Sequence, residues 1–200
     1  MSGLTRLVKP SRAEIESAAG KTVPDLIGPG LRVLFVGINP SLYSGAVGHH
    51  FARPGNRFWP VLHQAGFTPR QLSPFEEREL LELGVGVTNI VERATASADE
   101  LSPSELREGA EQLANKVQRF GPAYVAVVGV SAYRTGFGQP KASLGLQPEL
   151  LGGARVWVLP NPSGLQAHYQ LPELVRLYGE LRQAAFAGAA LRKEAPAAEA

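Results

Sequence analysis

Four short apolar runs, separated by segments with helical patterns, constrain the fold of this chain more than any other feature. Each run is rich in Val, Leu and Ile, as strands buried on both faces of a sheet are. The runs cover residues 31–36, 85–91, 123–128 and 155–159. Strands that alternate with helices predict an α/β fold in which helices cover both faces of a parallel sheet.

The helices between these runs have their own signals. Ser102 and Glu105 have the spacing of a capping box, with Pro103 at the first helical position. Apolar residues then recur on one helical face: Leu106, Ala110, Leu113 and Val117. Two further helices are predicted to begin near Asn56 and near Glu173. Their apolar positions are Phe58, Trp59 and Leu62 in the first, and Leu174, Leu177 and Leu181 in the second.

Length and composition favour one globular domain. The chain has 200 residues, of which 44% are hydrophobic and 19% charged, unlike a disordered sequence. We expect a loosely attached arm or a short helix over residues 1–25, a single domain over 26–190 and a flexible tail over 191–200. Because no apolar run reaches membrane-spanning length and the N-terminal segment has no apolar signal core, a cytoplasmic location and no membrane partner are expected.

Residue usage excludes several kinds of chemistry. The absence of cysteine rules out disulfides, thiol nucleophiles and cysteine-bound iron–sulfur clusters. The four histidines match no common zinc spacing, so we expect neither a metal nor a cofactor. Residues 76–115 hold ten acidic against three basic residues, whereas both flanking regions are net positive. This split allows a polyanion to meet one face, although helix surfaces that alternate in sign would give the same count.

Three loops are predicted to meet at the carboxyl edge of the sheet, where α/β proteins bind ligands. They include GINPSLYSGAVGHHFARPGNRFW (37–59), TNIVERAT (88–95) and NPSGLQAH (161–168). Phosphate-binding glycine motifs and the G-x-S-x-G nucleophile elbow are absent. The loops instead offer amides, rings and glycines, which suit a flat neutral heterocycle. Arg53 and Arg57 are spaced to meet phosphates, unless Arg57 belongs to a helix surface.

Several of these motifs, in order, resemble the mismatch-specific uracil-DNA glycosylases and their thymine-DNA glycosylase relatives. The similarity begins at GINPSLYSGAVGHHFARPGNRFW and continues through GVTNIVERAT, SPSELREGAEQL and GLQP to LPNPSGL. It covers most of residues 28–182. The resemblance implies a three-layer α/β/α fold with a central, mostly parallel four-stranded sheet.

The resemblance also implies an activity, the removal of a base flipped out of DNA. Asn39 occupies the position of the catalytic amide, which directs water to the sugar carbon. Phe51 occupies the position of the aromatic residue that stacks on the base, Ser44 lies close to C5 of the base, and Asn89 contacts its Watson–Crick edge. The residues assigned to base binding are Gly37, Ile38, Ser44, Phe51, Asn56 and Asn89.

For DNA binding, the resemblance assigns a wedge role to the loop after the last strand. Leu165 fills the stack that the base has left, and the residues before it grip phosphates. Gln166 and Ala167 follow where bacterial mismatch enzymes have Ser-Arg, so Gln166, or next His168, is the candidate contact to the orphaned guanine. The residues assigned to DNA are Arg53, Asn161, Pro162, Ser163, Gly164, Leu165 and Gln166.

Glu92 has two interpretations. It either has a structural role, in which it pairs with Arg93 or anchors a loop, or acts as a general base that assists Asn39. The resulting hypothesis is a monofunctional glycosylase, monomeric, acting on uracil in double-stranded DNA, mainly opposite guanine. The alternatives are a broad uracil glycosylase that also uses single strands and a noncatalytic DNA-binding module of the same fold.

Overall fold

Five strands form one sheet. The computed structural model describes residues 9–164 and 168–187. The strands are β1 (Val33–Gly37), β2 (Val85–Asn89), β3 (Tyr124–Val128), β4 (Gly145–Leu151) and β5 (Ala154–Leu159). Their order in the sheet is β2-β1-β3-β5-β4. All neighbouring pairs are parallel except β4 with β5, which is antiparallel.

Helices cover both faces of the sheet. They are α1 (Arg12–Glu16), α2 (Leu42–Val47), α3 (Phe58–Gln64), α4 (Glu79–Glu82), α5 (Pro103–Phe120), α6 (Val130–Gly136) and α7 (Leu171–Phe186), with 3-10 turns at Pro74–Glu76 and Ala98–Glu100. Side chains of β1 point alternately into two cores. Val33 and Phe35 join the core under α3 and α7, while Leu34 and Val36 join the core under α5 and α6. The predicted three-layer α/β/α class is confirmed.

The capping-box prediction for the longest helix is confirmed. Ser102 accepts a hydrogen bond from the Glu105 backbone N–H (3.2 Å), and Glu105 accepts one from the Ser102 backbone N–H (2.9 Å). The predicted apolar stripe is buried against the sheet, and α5 ends at Gly121 in the left-handed conformation. No helix in the described ranges is long and apolar enough to span a membrane.

The sheet has one strand more than the sequence predicts. β4 is an edge strand, and its Leu146 and Leu150 side chains are exposed, so it lacks the continuous apolar run of a strand buried on both faces. A two-residue hairpin with positive φ at Gly152 (54°) and Gly153 (92°) joins it to β5. Such glycine pairs are a hairpin signal, so Gly152 and Gly153 could have identified the fifth strand.

The described part of the N-terminal segment, residues 9–25, contains the short helix α1 and packs against the rest of the domain. Ala18 is fully buried, and Val23 is also part of the core. The Gly20 N–H donates to Ala94 O (2.9 Å), and the Ala94 N–H donates to Lys21 O (2.8 Å). These bonds attach the N-terminal segment to the loop after β2, and therefore to one of the loops at the carboxyl edge.

Candidate active site

The parallel strands bring the predicted loops to one edge. Gly37, the last residue of β1, is paired in register with Asn89, the last residue of β2. Backbone hydrogen bonds join the two loops beyond the strands, from the Thr95 N–H to Pro40 O (3.1 Å) and from the Leu42 N–H to Thr95 O (3.1 Å). The sheet therefore places Asn39 beside the segment that follows β2.

The Asn39 side-chain amide is held in one orientation. Its Nδ2 donates to Arg93 O (3.0 Å) and to Thr95 Oγ1 (2.7 Å). Thr95 Oγ1 donates its own proton to Ser97 O (2.7 Å), so towards Asn39 it can only accept. Both Nδ2 protons are thus used inside the protein. Asn39 Oδ1 points the other way as a hydrogen-bond acceptor, which is the group needed to hold a water molecule.

Phe51 packs beside Gly37 in an unusual backbone conformation. Its φ is +50°, and it is the only residue other than glycine in the described ranges with positive φ. One face of its ring stacks on Phe58, with centroids 4.0 Å apart and planes 21° apart. A Cβ on Gly37 would lie 3.3 Å from Phe51 Cζ. Phe51 is therefore a fixed aromatic surface next to the end of β1.

The Asn89 amide faces Gly37 through its oxygen. A Cβ on Gly37 would lie 2.5 Å from Asn89 Oδ1, so only glycine permits this approach. Asn89 Nδ2 lies 3.5 Å from His50 Nδ1, a long hydrogen bond. His50 Nε2 must donate to Pro24 O (3.0 Å), because a carbonyl only accepts, and this leaves Nδ1 of the neutral ring as the acceptor for Asn89.

His50 is kept neutral by burial. Its exposed fraction is 2%. Desolvation lowers the pKa of His50 below its ordinary value of 6.5, against the opposing effects of Glu77 and of the hydrogen bond to Pro24. The neutral ring is the form that can accept a hydrogen bond from Asn89 while donating to Pro24.

This pKa shift predicts a pH dependence of stability. Because the pKa of His50 is lower in the folded chain, the unfolded chain binds a proton at His50 more readily below pH 6.5. The free energy of unfolding therefore falls as the pH falls. The free energy of unfolding that His50 alone removes is at most about 1.4 kcal/mol per pH unit, and no such loss is expected well above about pH 6.5. Urea unfolding of the wild type and of His50→Gln between pH 5 and 8 measures it. Identical pH dependence in both proteins would contradict the assignment.

Ser44 and Asn56, both assigned to base binding, have structural partners. Ser44 is 2% exposed, and its hydroxyl accepts hydrogen bonds from the Ala52 N–H (3.1 Å) and from Ser41 Oγ (3.2 Å). Asn56 Oδ1 accepts from the N–H of Phe58, the first residue of α3 (2.9 Å). Both residues shape the loop that carries Phe51. Ile38 is half-buried, and its carbonyl accepts from the Val91 N–H (2.9 Å).

Arg57 does not extend from a helix surface into solvent. Its guanidinium is hydrogen-bonded within the protein. Its guanidinium donates to three backbone carbonyls of the loop after β5: Pro162 (3.3 Å), Ser163 (2.7 Å) and Tyr169 (2.5 Å). The two loops also touch through glycines, since a Cβ on Gly164 would lie 2.5 Å from Gly55 O. Arg57 therefore joins the loop of Phe51 to the predicted wedge loop. Arg53, by contrast, is exposed.

The start of the predicted wedge loop is rigidly held. Asn161 Oδ1 accepts from the Ser163 N–H (3.0 Å), which forms a local turn. The buried Tyr178 hydroxyl donates to Pro160 O (3.1 Å) from α7. Pro162 is buried and Gly164 is exposed. Leu165 and Gln166, the predicted wedge and guanine contact, lie outside the described residues, whereas His168 is exposed.

Glu92 has a partner that the sequence analysis did not identify. Its carboxylate lies 2.8 Å from Lys116 Nζ on α5, and Lys116 also pairs with Asp25 (2.6 Å). Arg93, the predicted partner, instead pairs with Glu105 at 2.6 Å. Hydrogen bonds from Arg93, and then from Ser102, lower the pKa of Glu105 to about 2. These contacts favour the anchoring interpretation of Glu92 over a general base.

The Glu92 contacts predict a nearly silent variant. The side chain is 54% exposed, and an ion pair at such a site is worth about 0–1 kcal/mol. Glu92→Gln should therefore keep the single-turnover rate of the base excision that the resemblance implies within about 3-fold of the wild type. A much larger loss at unchanged DNA affinity would restore Glu92 as a general base.

A cavity of about 360 Å³ lies against the loop of Phe51. Its lining includes Phe51, Asn56, Trp59, Leu72 and Pro74. Neither Asn39 nor Asn89 lines it. The cavity therefore borders Phe51 but is not lined by the two amides.

The fold and the site define an α/β protein with two oriented amides and an aromatic surface at the carboxyl edge of its sheet. The family model described as the uracil DNA glycosylase superfamily matches residues 24–186. The chain therefore belongs to the uracil DNA glycosylase superfamily. Membership indicates a hydrolase of N-glycosyl bonds that acts on uracil in DNA during repair.

A solved structure supports the fold. The solution NMR structure of a protein from Methanosarcina acetivorans, provisionally described as a uracil DNA glycosylase, matches this chain with a TM-score of 0.56. The match covers 82% of this chain and 98% of that one, at 16% sequence identity. At this identity the similarity concerns the fold alone.

Residues missed by the sequence analysis complete the site. Thr95 orients Asn39 and His50 orients Asn89, whereas Arg57, named above as a phosphate candidate, joins two loops. Thr95 lies in TNIVERAT (88–95), and a hydroxyl side chain a few residues after a strand is only a weak signal of a site. The pairing of His50 with Asn89 has no signal in a single sequence, since 39 residues separate them.

Proposed function

We propose that this protein is a monofunctional DNA glycosylase of base excision repair. It flips uracil out of double-stranded DNA, mainly opposite guanine, and hydrolyses the glycosidic bond to leave an abasic site. The observation that carries the proposal is the orientation of Asn39. Its amide uses both protons inside the protein and offers Oδ1 as an acceptor, at the edge where Phe51 and Asn89 lie.

In the proposed reaction, Asn39 Oδ1 accepts a hydrogen bond from the attacking water and directs its oxygen to C1′ of the sugar. The bond between C1′ and N1 of uracil breaks, and the electron pair leaves with the base. The water oxygen then bonds to C1′ and loses its proton to solvent, and the uracil anion is protonated. An amide is a weak base, but a sugar cation needs orientation of the water more than deprotonation.

Base recognition follows from the second amide. Asn89 Oδ1 is an acceptor, and uracil carries a donor, N3–H, on its Watson–Crick edge. Cytosine has a bare N3 at that position and would leave Asn89 Oδ1 facing another acceptor. Discrimination against cytosine can be large, because Asn89 Oδ1 would lose its hydrogen bonds to water and gain no partner on the base. The face of Phe51 away from Phe58 is the proposed platform for the ring.

DNA contacts are assigned to the two loops that Arg57 joins. Arg53 is exposed and suits a phosphate, and the turn at Asn161–Gly164 lies against Gly55, in the same loop as Arg53. Leu165 is the proposed wedge and Gln166 the proposed contact to guanine. Phosphate contacts release counterions, so binding should weaken steeply with salt. We further propose that the protein acts as a monomer in the cytoplasm.

The test compares uracil release from U·G duplex, U·A duplex and single-stranded oligonucleotides under single-turnover conditions. We expect the fastest release from U·G, with an intact abasic strand as the product. Equal rates on all three would support a broad uracil glycosylase, and strand cleavage without added base would contradict monofunctional chemistry. No release from any substrate, with DNA binding retained, would favour a noncatalytic module.

A further inference from the structure

Glu77 is a buried carboxylate that the proposed reaction does not use. It is 8% exposed and follows the 3-10 turn Pro74–Glu76. Oε1 accepts from His49 Nδ1 (2.8 Å), and Oε2 accepts from the His50 backbone N–H (2.9 Å). A buried charge is tolerated only with such partners. The two donors belong to adjacent residues, so the Glu77 carboxylate holds the segment His49–His50 in place.

The segment His49–His50, which Glu77 holds, directly precedes Phe51. The φ of Phe51, +50°, is rare for an aromatic residue, and a residue keeps such a conformation only where several contacts hold its backbone in place. Glu77 holds the chain on the N-terminal side of Phe51, and Ser44 Oγ holds it on the C-terminal side by accepting from the Ala52 N–H. The ring is then clamped against Phe58.

We propose that Glu77 is a positioning residue for base excision. By holding His49 and His50 it fixes the ring of Phe51 as a platform and seats the His50 imidazole that orients Asn89. Glu77 itself touches neither the base nor the sugar. The inference rests on the proposed function, because Phe51 and Asn89 are base-contacting residues only if the protein excises a base.

The test measures the maximal single-turnover rate of uracil release at saturating enzyme, together with the Kd for the duplex. Glu77→Leu should lower the maximal rate by about 10–100-fold, as expected of a platform displaced by about 1 Å. The Kd should change little, since the proposed phosphate contacts lie on other residues. Glu77→Gln keeps the shape and one acceptor oxygen, and it should restore most of the rate.

Glu76 provides a matched control. It is adjacent in sequence, caps Ser73 (2.8 Å) and pairs with Arg70 (2.9 Å), and the contacts of its carboxylate do not include His49 or His50. Glu76→Leu should therefore reduce stability without reducing the maximal rate. NOEs between the rings of Phe51 and Phe58 supply a readout independent of activity, and they should be lost in Glu77→Leu alone.

Several outcomes would overturn the proposal. The first is a folded Glu77→Leu variant with the wild-type maximal rate. The second is a Glu76→Leu variant that loses as much of the maximal rate as Glu77→Leu. The third is a Glu77→Leu variant that loses rate but keeps the NOEs between Phe51 and Phe58. If Glu77→Leu does not fold, His49→Leu removes one of the two contacts and should lower the rate about 3–10-fold; an unchanged rate there would refute the role. Absence of uracil release by the wild type would refute the proposed function instead, and the ring NOEs would still test the positioning.

Discussion

Asn39→Ala is expected to lower the single-turnover rate of uracil release by about 10²-fold, the order of loss expected when a reacting water is no longer held in position. The variant loses Oδ1, which is left as an acceptor because Nδ2 makes the hydrogen bonds to Arg93 O and Thr95 Oγ1. Binding of the duplex should persist, because phosphate contacts supply most of that affinity. Rates at saturating enzyme and a separate Kd measurement distinguish the two effects.

Two further variants sharpen this prediction. Asn115→Ala removes an exposed amide from α5 and should leave the rate unchanged. Thr95→Val removes one of the two acceptors that orient Asn39, and it should cost about 3–10-fold, the equivalent of one hydrogen bond. Near-full activity in Asn39→Ala, combined with a large loss in Glu92→Gln, would show that Glu92 activates the water.

Gly37→Ala is expected to impair both folding and excision. The added Cβ would lie 2.5 Å from Asn89 Oδ1 and 3.3 Å from Phe51 Cζ, so one of them must move. Overpacking of this kind costs about 1–3 kcal/mol of the free energy of unfolding. Displacing a base-contacting group by about 1 Å can cost about 10²-fold in rate. Urea unfolding and single-turnover kinetics on the same preparation measure the two losses.

Gly179→Ala is the matched control for that substitution. Gly179 lies in α7, where an added Cβ would meet nothing within 4 Å. Alanine there should stabilise the protein by about 0.5–1 kcal/mol and leave the rate unchanged. Wild-type kinetics in Gly37→Ala would mean that Asn89 and Phe51 do not form the base site.

Part of the fold could be predicted from local patterns. The four predicted strand regions overlap the four parallel strands β1, β2, β3 and β5, because strands buried on both faces are continuously apolar. The helix after Ser102 was predictable because its cap and its apolar stripe are both local. The edge strand β4 was missed, since it is antiparallel, exposed in part and interrupted by Pro148.

The sequence by itself determined the α/β architecture, the three loops at one edge and the residue types available there, because periodicity, caps and strand direction are set by near neighbours in the chain. Only the tertiary structure decided the orientation of the amides and the partners of Glu92, Arg57 and Glu77. Those contacts join residues that are 24 to 112 positions apart. The direction of an amide depends on which distant carbonyl or ring nitrogen faces it, and no local pattern contains that information.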